Sequence, residues 1–182
     1  MFGIESVGRR VSNICREGVV SNVYPERCSC RVTFDDKNGM VSAELPVLTP
    51  FSIKNKLYKL PDIGERVVVL MAGNDIKGGA GYVVGSLFTA ENPPPESNEN
   101  LTKLEFGDRT FISYDRERHE FKIQFNDESS IVYDGESHTF SVYIKGDIEV
   151  EGKKRLDVLI DNEIDIESRA DIEMQGRNIR LN

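Results

Sequence analysis

Phe140-Ser141-Val142, Ile148-Glu149-Val150, Leu156-Asp157-Val158, Ile164-Asp165-Ile166 and Ile172-Glu173-Met174 repeat one apolar-polar-apolar pattern every eight residues. Residues two apart on a strand point to the same side. Each octad therefore supplies one inward pair, while Ser141, Glu149, Asp157, Asp165 and Glu173 face water. One octad cannot bury its own pair. A single-chain solenoid would need many more coils than the ~40 residues of this stretch allow. Parallel chains wound around one another would complete each other's core and pair the strand edges left open in a monomer. The spacing predicts an obligate oligomer, with three faces and a core built from Phe140, Val142, Ile148, Val150, Leu156, Val158, Ile164, Ile166, Ile172 and Met174. An ordinary hairpin meander is the competing reading, but hairpins seldom hold one strict spacing. A coiled coil conflicts with the β-branched content and with alternation at two residues instead of 3.5.

Upstream of the octads, Thr110 to Tyr114, Glu120 to Phe125, Ser130 to Tyr133 and Thr139 to Ile144 alternate at strand length between polar turns. Before them, Thr89 to Asn100 loses all apolar periodicity and contains Pro93-Pro94-Pro95, a composition that favours an extended, semi-rigid spacer. Earlier still, Gly18 to Phe34 reads as two strands broken at Tyr24-Pro25-Glu26-Arg27. Val41 to Val47, Arg66 to Met71 and Tyr82 to Phe88 continue the pattern, the second as a strand buried on both faces. Gly64, Gly73, Gly78, Gly79 and Gly81 mark turns. The expected fold is all-β: an N-terminal arm (1–17), a small five-stranded Greek-key barrel (18–90), a proline-rich linker (91–100), and a strand region leading into the octads (101–182). Strand count alone does not separate an oligonucleotide-binding-like barrel from an SH3-like one.

Composition narrows the function. Apolar residues make up 38% of the chain, below the roughly 45–50% of a typical globular protein, which fits burial completed by partners. The net charge is -8. From Leu101 onward, 12 Lys or Arg stand against 19 Asp or Glu, so the second half carries -7 and the first half -1. An acidic rod is a poor binder of nucleic acid or anionic lipid. Arginine and glutamate interrupt Met1 to Val20, leaving no signal-peptide or membrane-span core, so synthesis in a bacterial cytoplasm is expected. Cys15, Cys28 and Cys30 are too few for a two-pair zinc site. Cys28-Ser29-Cys30 would put two thiols on one strand face, where they read as small core residues more readily than as a metal or redox pair.

Catalysis needs a nucleophile, a base or a paired acid in a pocket. The rod carboxylates lie at regular outward positions explained by solubility. His119 and His138 fall in charged turns, and Gly78-Gly79-Ala80-Gly81 lacks the Gly-Lys-Ser/Thr ending of a phosphate loop. Lys54, Lys56, Tyr58 and Lys59 are the one basic-aromatic cluster for single-stranded nucleic acid, and read more simply as a barrel loop meeting a neighbour. No enzyme activity, cofactor or metal is expected.

Leu45-Pro46-Val47-Leu48-Thr49-Pro50, Leu60-Pro61-Asp62-Ile63-Gly64-Glu65-Arg66-Val67-Val68-Val69 and Gly81-Tyr82-Val83-Val84-Gly85-Ser86-Leu87-Phe88 resemble the N-terminal domain of the baseplate assembly protein V family. These are central spikes of contractile phage tails and tail-like bacteriocins, related to valine-glycine-repeat spike proteins of type VI secretion. Gly18-Val19-Val20-Ser21-Asn22-Val23 and the polyproline exit match too, and the octads look like the family's triple-stranded β-helix. The resemblance implies an oligonucleotide/oligosaccharide-binding (OB) fold in a homotrimeric collar, a baseplate hub protein at the barrel end, a membrane-piercing needle, and no bound nucleic acid. An effector-carrying type VI-like spike is the near alternative. A peptidoglycan-degrading protein is a more distant one.

Two features depart from the family. The linker is too short for the lysozyme domain some phage spikes insert. The C-terminus lacks the iron-binding His-x-His apex of simple spikes, since His119 and His138 lie far upstream. Five octads climbing about one strand spacing each, ~4.8 Å, give a stub only about 25 Å tall. Its exposed strand ends call for a cover. A separate small tip protein, like the conical proline-alanine-alanine-arginine tips of related spikes, is expected to sit on Met174, Ile179 and Leu181, with Arg177 and Arg180 at the rim.

Overall fold

The computed structural model describes residues 14–71 and 80–177. Most of the expected arm, the turn glycines Gly73, Gly78 and Gly79, and the tip residues Ile179 and Leu181 lie outside the described residues. The chain divides into two compact units, Met1–Glu99 and Asn100–Asn182.

The first unit is built from β1 (Cys15–Tyr24), β2 (Ser29–Phe34), β3 (Met40–Val41), β4 (Leu45–Pro46), β5 (Arg66–Met71) and β6 (Gly81–Ser86). Their order is β3-β2-β1-β5-β6, antiparallel throughout, with β4 also on β2. Pro25 starts a 3-10 turn between β1 and β2, where its fixed φ and missing N–H cost nothing. That turn ends on Cys28 at φ 50°, so Cys28 precedes the strand, and the two thiols do not share a strand face as expected.

The single strand expected over Val41 to Val47 is two short ones. Ser42 turns inward between them: its hydroxyl accepts from the Val32 N–H (2.9 Å) and donates to the Ala43 carbonyl (2.6 Å), while its own N–H reaches the Val32 carbonyl (2.8 Å). A buried hydroxyl thus takes over a ladder position.

Irregular registers between Val20 and Asn22 and between Val68 and Val69 bend the strands. The sheet curls until Val47 meets Val83 in a parallel bridge, and the Leu48 N–H donates to the Val83 carbonyl at 2.9 Å. Val20, Cys30, Val32, Phe34, Leu45, Val67, Val69, Met71 and Val83 fill the interior. β5 is buried on one face only: Val67, Val69 and Met71 point in, whereas Leu70 is exposed. Its unbroken apolar run therefore misleads about two-sided burial. Arg16 is also buried, its guanidinium 4.1 Å from the Phe34 ring centre and 2.7 Å from Asp36 Oδ1.

The second unit is a five-stranded antiparallel meander in the order β11-β10-β9-β8-β7. Its strands are β7 (Leu101–Glu105), β8 (Phe111–Asp115), β9 (Glu120–Gln124), β10 (Ser130–Asp134) and β11 (Thr139–Tyr143). β7 was not anticipated.

The turns reveal a duplication of 19 residues. Phe106, Asp108, Ile112, Tyr114, Asp115, Glu117, His119 and Phe121 recur as Phe125, Asp127, Ile131, Tyr133, Asp134, Glu136, His138 and Phe140. The backbone repeats with them. Asp108 accepts from the Thr110 N–H (2.9 Å) and hydroxyl (3.0 Å), as Asp127 does from those of Ser129 (2.9 Å each). Asp115 accepts from the N–H groups of Glu117 and Arg118 (2.9 and 3.1 Å), and Asp134 from those of Glu136 and Ser137 (2.9 and 3.0 Å). Arg109 and Glu128 both sit at positive φ (71° and 74°), as do His119 and His138 (53° and 54°). Each aspartate is a side chain standing in for a backbone acceptor, which lets the turn close without a neighbouring strand.

At Gly18 an added Cβ would lie 2.5 Å from Val32 Cγ1 and 2.6 Å from the Thr33 carbonyl oxygen. Backbone at that distance cannot yield cheaply. Gly18→Ala is expected to destabilise the barrel by about 1–3 kcal/mol, read as a lower urea midpoint; an unchanged midpoint would mean that β1 and β2 are spaced more widely.

Candidate functional site

Strand register sorts the meander's side chains onto two sides. One side carries two rows: Tyr114, Phe121, Tyr133 and Phe140 run across β8 to β11, beside Leu104, Ile112, Ile123, Ile131 and Val142 from β7 to β11. The other side is mainly polar. There the Lys103 and Lys122 ammonium groups lie 4.5 and 5.8 Å from the Phe111 ring centre.

Burial is the reverse of what such a sheet normally shows. The best-shielded strand residues, Ser113 and Asp115, lie on the polar side. On the apolar side Tyr114, Phe121 and Tyr133 are more than 40% exposed, Leu104 58% and Phe140 67%. An apolar surface this continuous is uncommon on a protein that works alone.

In sequence this side leads directly to the octads. Phe140 and Val142, the first expected core pair, close the meander as the last members of its two rows. From Ile144 to Arg177 the described chain has no helix or strand. The other eight expected core residues, Ile148, Val150, Leu156, Val158, Ile164, Ile166, Ile172 and Met174, are 53–72% exposed. The hydrogen bonds and ion pairs within this stretch are local, such as Arg155 Nε to Asp157 Oδ1 at 2.6 Å and the Ala170 N–H to Ser168 Oγ at 3.2 Å. Phe140 thus belongs to two periodicities at once: it ends the 19-residue repeat and begins the eight-residue one.

The other residues singled out in the sequence are scattered. His119 and His138 occupy equivalent turns at one end of the meander, and the Gly135 N–H donates to the His119 carbonyl at 3.1 Å. Cys30 lies in the barrel core, where burial, with the Cys28 thiol as a smaller cause, pushes its pKa up to about 11. A thiol so placed is protonated and inert at neutral pH. Lys54, Lys56, Tyr58 and Lys59 all lie on the barrel surface. No described helix is long and apolar enough to cross a membrane.

No protein-family model matches the chain. Over 117 residues it is 24% identical to the spike protein of Escherichia phage P2, an alignment covering 64% of this chain and 53% of that protein. The chain thus matches about half the length of that relative.

The turn aspartates make the meander sensitive to acid. Asp134 is held below the ordinary carboxylate range by the N–H groups of Ser137 and Glu136, and Asp127 by the N–H and hydroxyl of Ser129. Because the folded value is the lower one, their contribution is complete above the unfolded pKa of roughly 3.9 and is lost as pH falls through the folded value. Asp134→Asn should lower the thermal midpoint at neutral pH, and the gap from the parent protein should close on acidification. A gap independent of pH would remove the charge from the explanation.

Proposed function

We propose that the chain is a structural, non-enzymatic central spike protein of a contractile-tail baseplate, in a phage or a phage-tail-like particle. One observation carries this reading: the apolar side of the meander continues into the octad strip, and a single chain leaves both uncovered. Likeness to a phage spike protein over 64% of the chain supports the same role. Three parallel copies would turn their apolar sides toward a common axis, so that the two rows from Leu104 to Phe140 become the upper part of a core that the octads extend. Strands between 144 and 177 would then form on assembly, because each chain supplies the edge its neighbour lacks.

The barrel supports an OB-like reading. β2 and β5 flank β1, β6 follows β5, and the end of the β4 segment closes parallel on β6, the circuit expected of a five-stranded Greek-key barrel. In this reading the barrel end joins the baseplate hub, and the octad end, where Met174 is 55% exposed, carries a separate tip protein that leads through the envelope. The chain's own work is mechanical, and clearing of peptidoglycan by the purified protein in a zymogram would count against it.

The rod makes the sharper test. Ile164→Asp or Ile166→Asp would bring three unpaired carboxylates into one layer, at far greater cost than loss of a methylene. The parent protein is expected at about three times its chain mass in solution and either variant as single chains, whereas Asp165→Asn should leave the mass unchanged. A monomeric parent, or equal damage from the outward substitution, would refute the winding.

A further inference from the structure

The barrel bears a second uncovered apolar feature, independent of the meander. Between β4 and β5 the chain folds into a small hairpin: Ser52 and Lys56 bridge antiparallel, the Leu57 N–H donates to the Phe51 carbonyl (3.3 Å), and Thr49 Oγ1 donates to the Leu57 carbonyl (2.7 Å). These bonds give the loop a definite shape, yet its apolar residues point outward: Phe51 is 57% exposed, Leu57 55% and Ile53 83%. Positions 45–58 contain Lys54 and Lys56 and no carboxylate, a charge of +2 in a chain of -8, so the remainder carries -10. The hairpin is therefore a convex, greasy, basic projection on an acidic protein.

A groove of about 920 Å³ lies on the same barrel, between the turn entering β5 and the segment leaving β6. Its apolar lining includes Ile63, Leu87 and Phe88, of which Ile63 (64%) and Phe88 (69%) are well exposed. Glu65 and Glu91 also line it. Its cations are already engaged: Lys59 with Asp62 at 3.7 Å, and Arg66 with Asp35 and Glu17 at 3.5 and 3.9 Å. Glu65 and Glu91 have no cationic partner among the described residues. The hairpin tip, residues 51 to 56, does not line this groove.

From these two surfaces we infer that the hairpin of one copy seats in the groove of the next, with Ile53 and Phe51 against Ile63 and Phe88, and Lys54 and Lys56 toward Glu65 and Glu91. The basic tip of one copy complements the acidic groove of another, whereas hairpin against hairpin would oppose like charges and groove against groove would leave both concave. A convex-to-concave contact is head-to-tail, and such contacts form either closed rings or open filaments. Chains already wound into one rod share an axis, so the contact closes as a ring of barrels. This inference rests on the three-chain reading, and its test separates the two.

Two tagged forms of the full chain, one with Ile53→Cys and the other with Phe88→Cys, both in a Cys15→Ser, Cys28→Ser background, would be co-expressed and treated with a short bismaleimide. The expected result is a covalent species carrying both tags, absent when either form is expressed alone. Adding Lys54→Glu and Lys56→Glu to the first form should cut its yield at least fivefold, and adding Glu65→Lys and Glu91→Lys to the second should restore it. A three-chain mass without the mixed-tag product would overturn the hairpin contact and leave the trimer standing. A one-chain mass would overturn both.

Discussion

A strand buries its apolar side only if something lies against it, and in the second half of this chain nothing does. The meander satisfies its backbone through antiparallel pairing and its turns through aspartate side chains. Its apolar rows still face outward, while its polar side is the better shielded. Hydrogen bonding and hydrophobic burial, which act together in most small domains, are separated here: the first is completed within the chain and the second is left open. The octads carry that separation further, because from Ile144 to Arg177 the described backbone forms no strand ladder.

The first half meets the same constraint by the opposite route. Its sheet is bent by two register irregularities until the ends of the β4 segment and β6 touch, so nine apolar residues are enclosed by one chain. The first unit thus encloses its own core, whereas the second leaves its apolar side open.

Much of this was legible in the sequence. Alternation at two residues located β8 to β11 within a residue, because turns rich in Asp, Glu and Ser bound each run. The barrel strands β1, β2, β5 and β6 were legible for the same reason. Val41 to Val47 was not, since nothing in its residue types announces that Ser42 will turn inward to replace a ladder bond. β5 was misjudged because three successive valines look alike from both sides. β7 escaped notice because Leu101 and Leu104 are three apart and break the alternation. The duplication is written as Phe-x-Asp and Tyr-Asp-x-Glu-x-His at a spacing of 19, overlaid at Phe140 by the eight-residue period. Only the register of β8 to β11 shows that the apolar side begins well before Phe140. The hairpin and groove of the barrel were legible only as a lysine-rich loop, because exposure is a property of the folded chain.

The duplicated hairpin has a bearing on how such a protein can change over time. Nineteen residues supply two strands and two turns, and the pair returns the chain to the side of the sheet on which it began. Copying or deleting one unit would alter the sheet by two strand widths, roughly 10 Å, without reversing which side chains lie on the apolar side and without touching the barrel or the octads. A single-strand change would reverse the chain's direction at the point where the octads begin. Length in this region is thus inherited in whole steps, with the unit of adjustment already written twice in the chain.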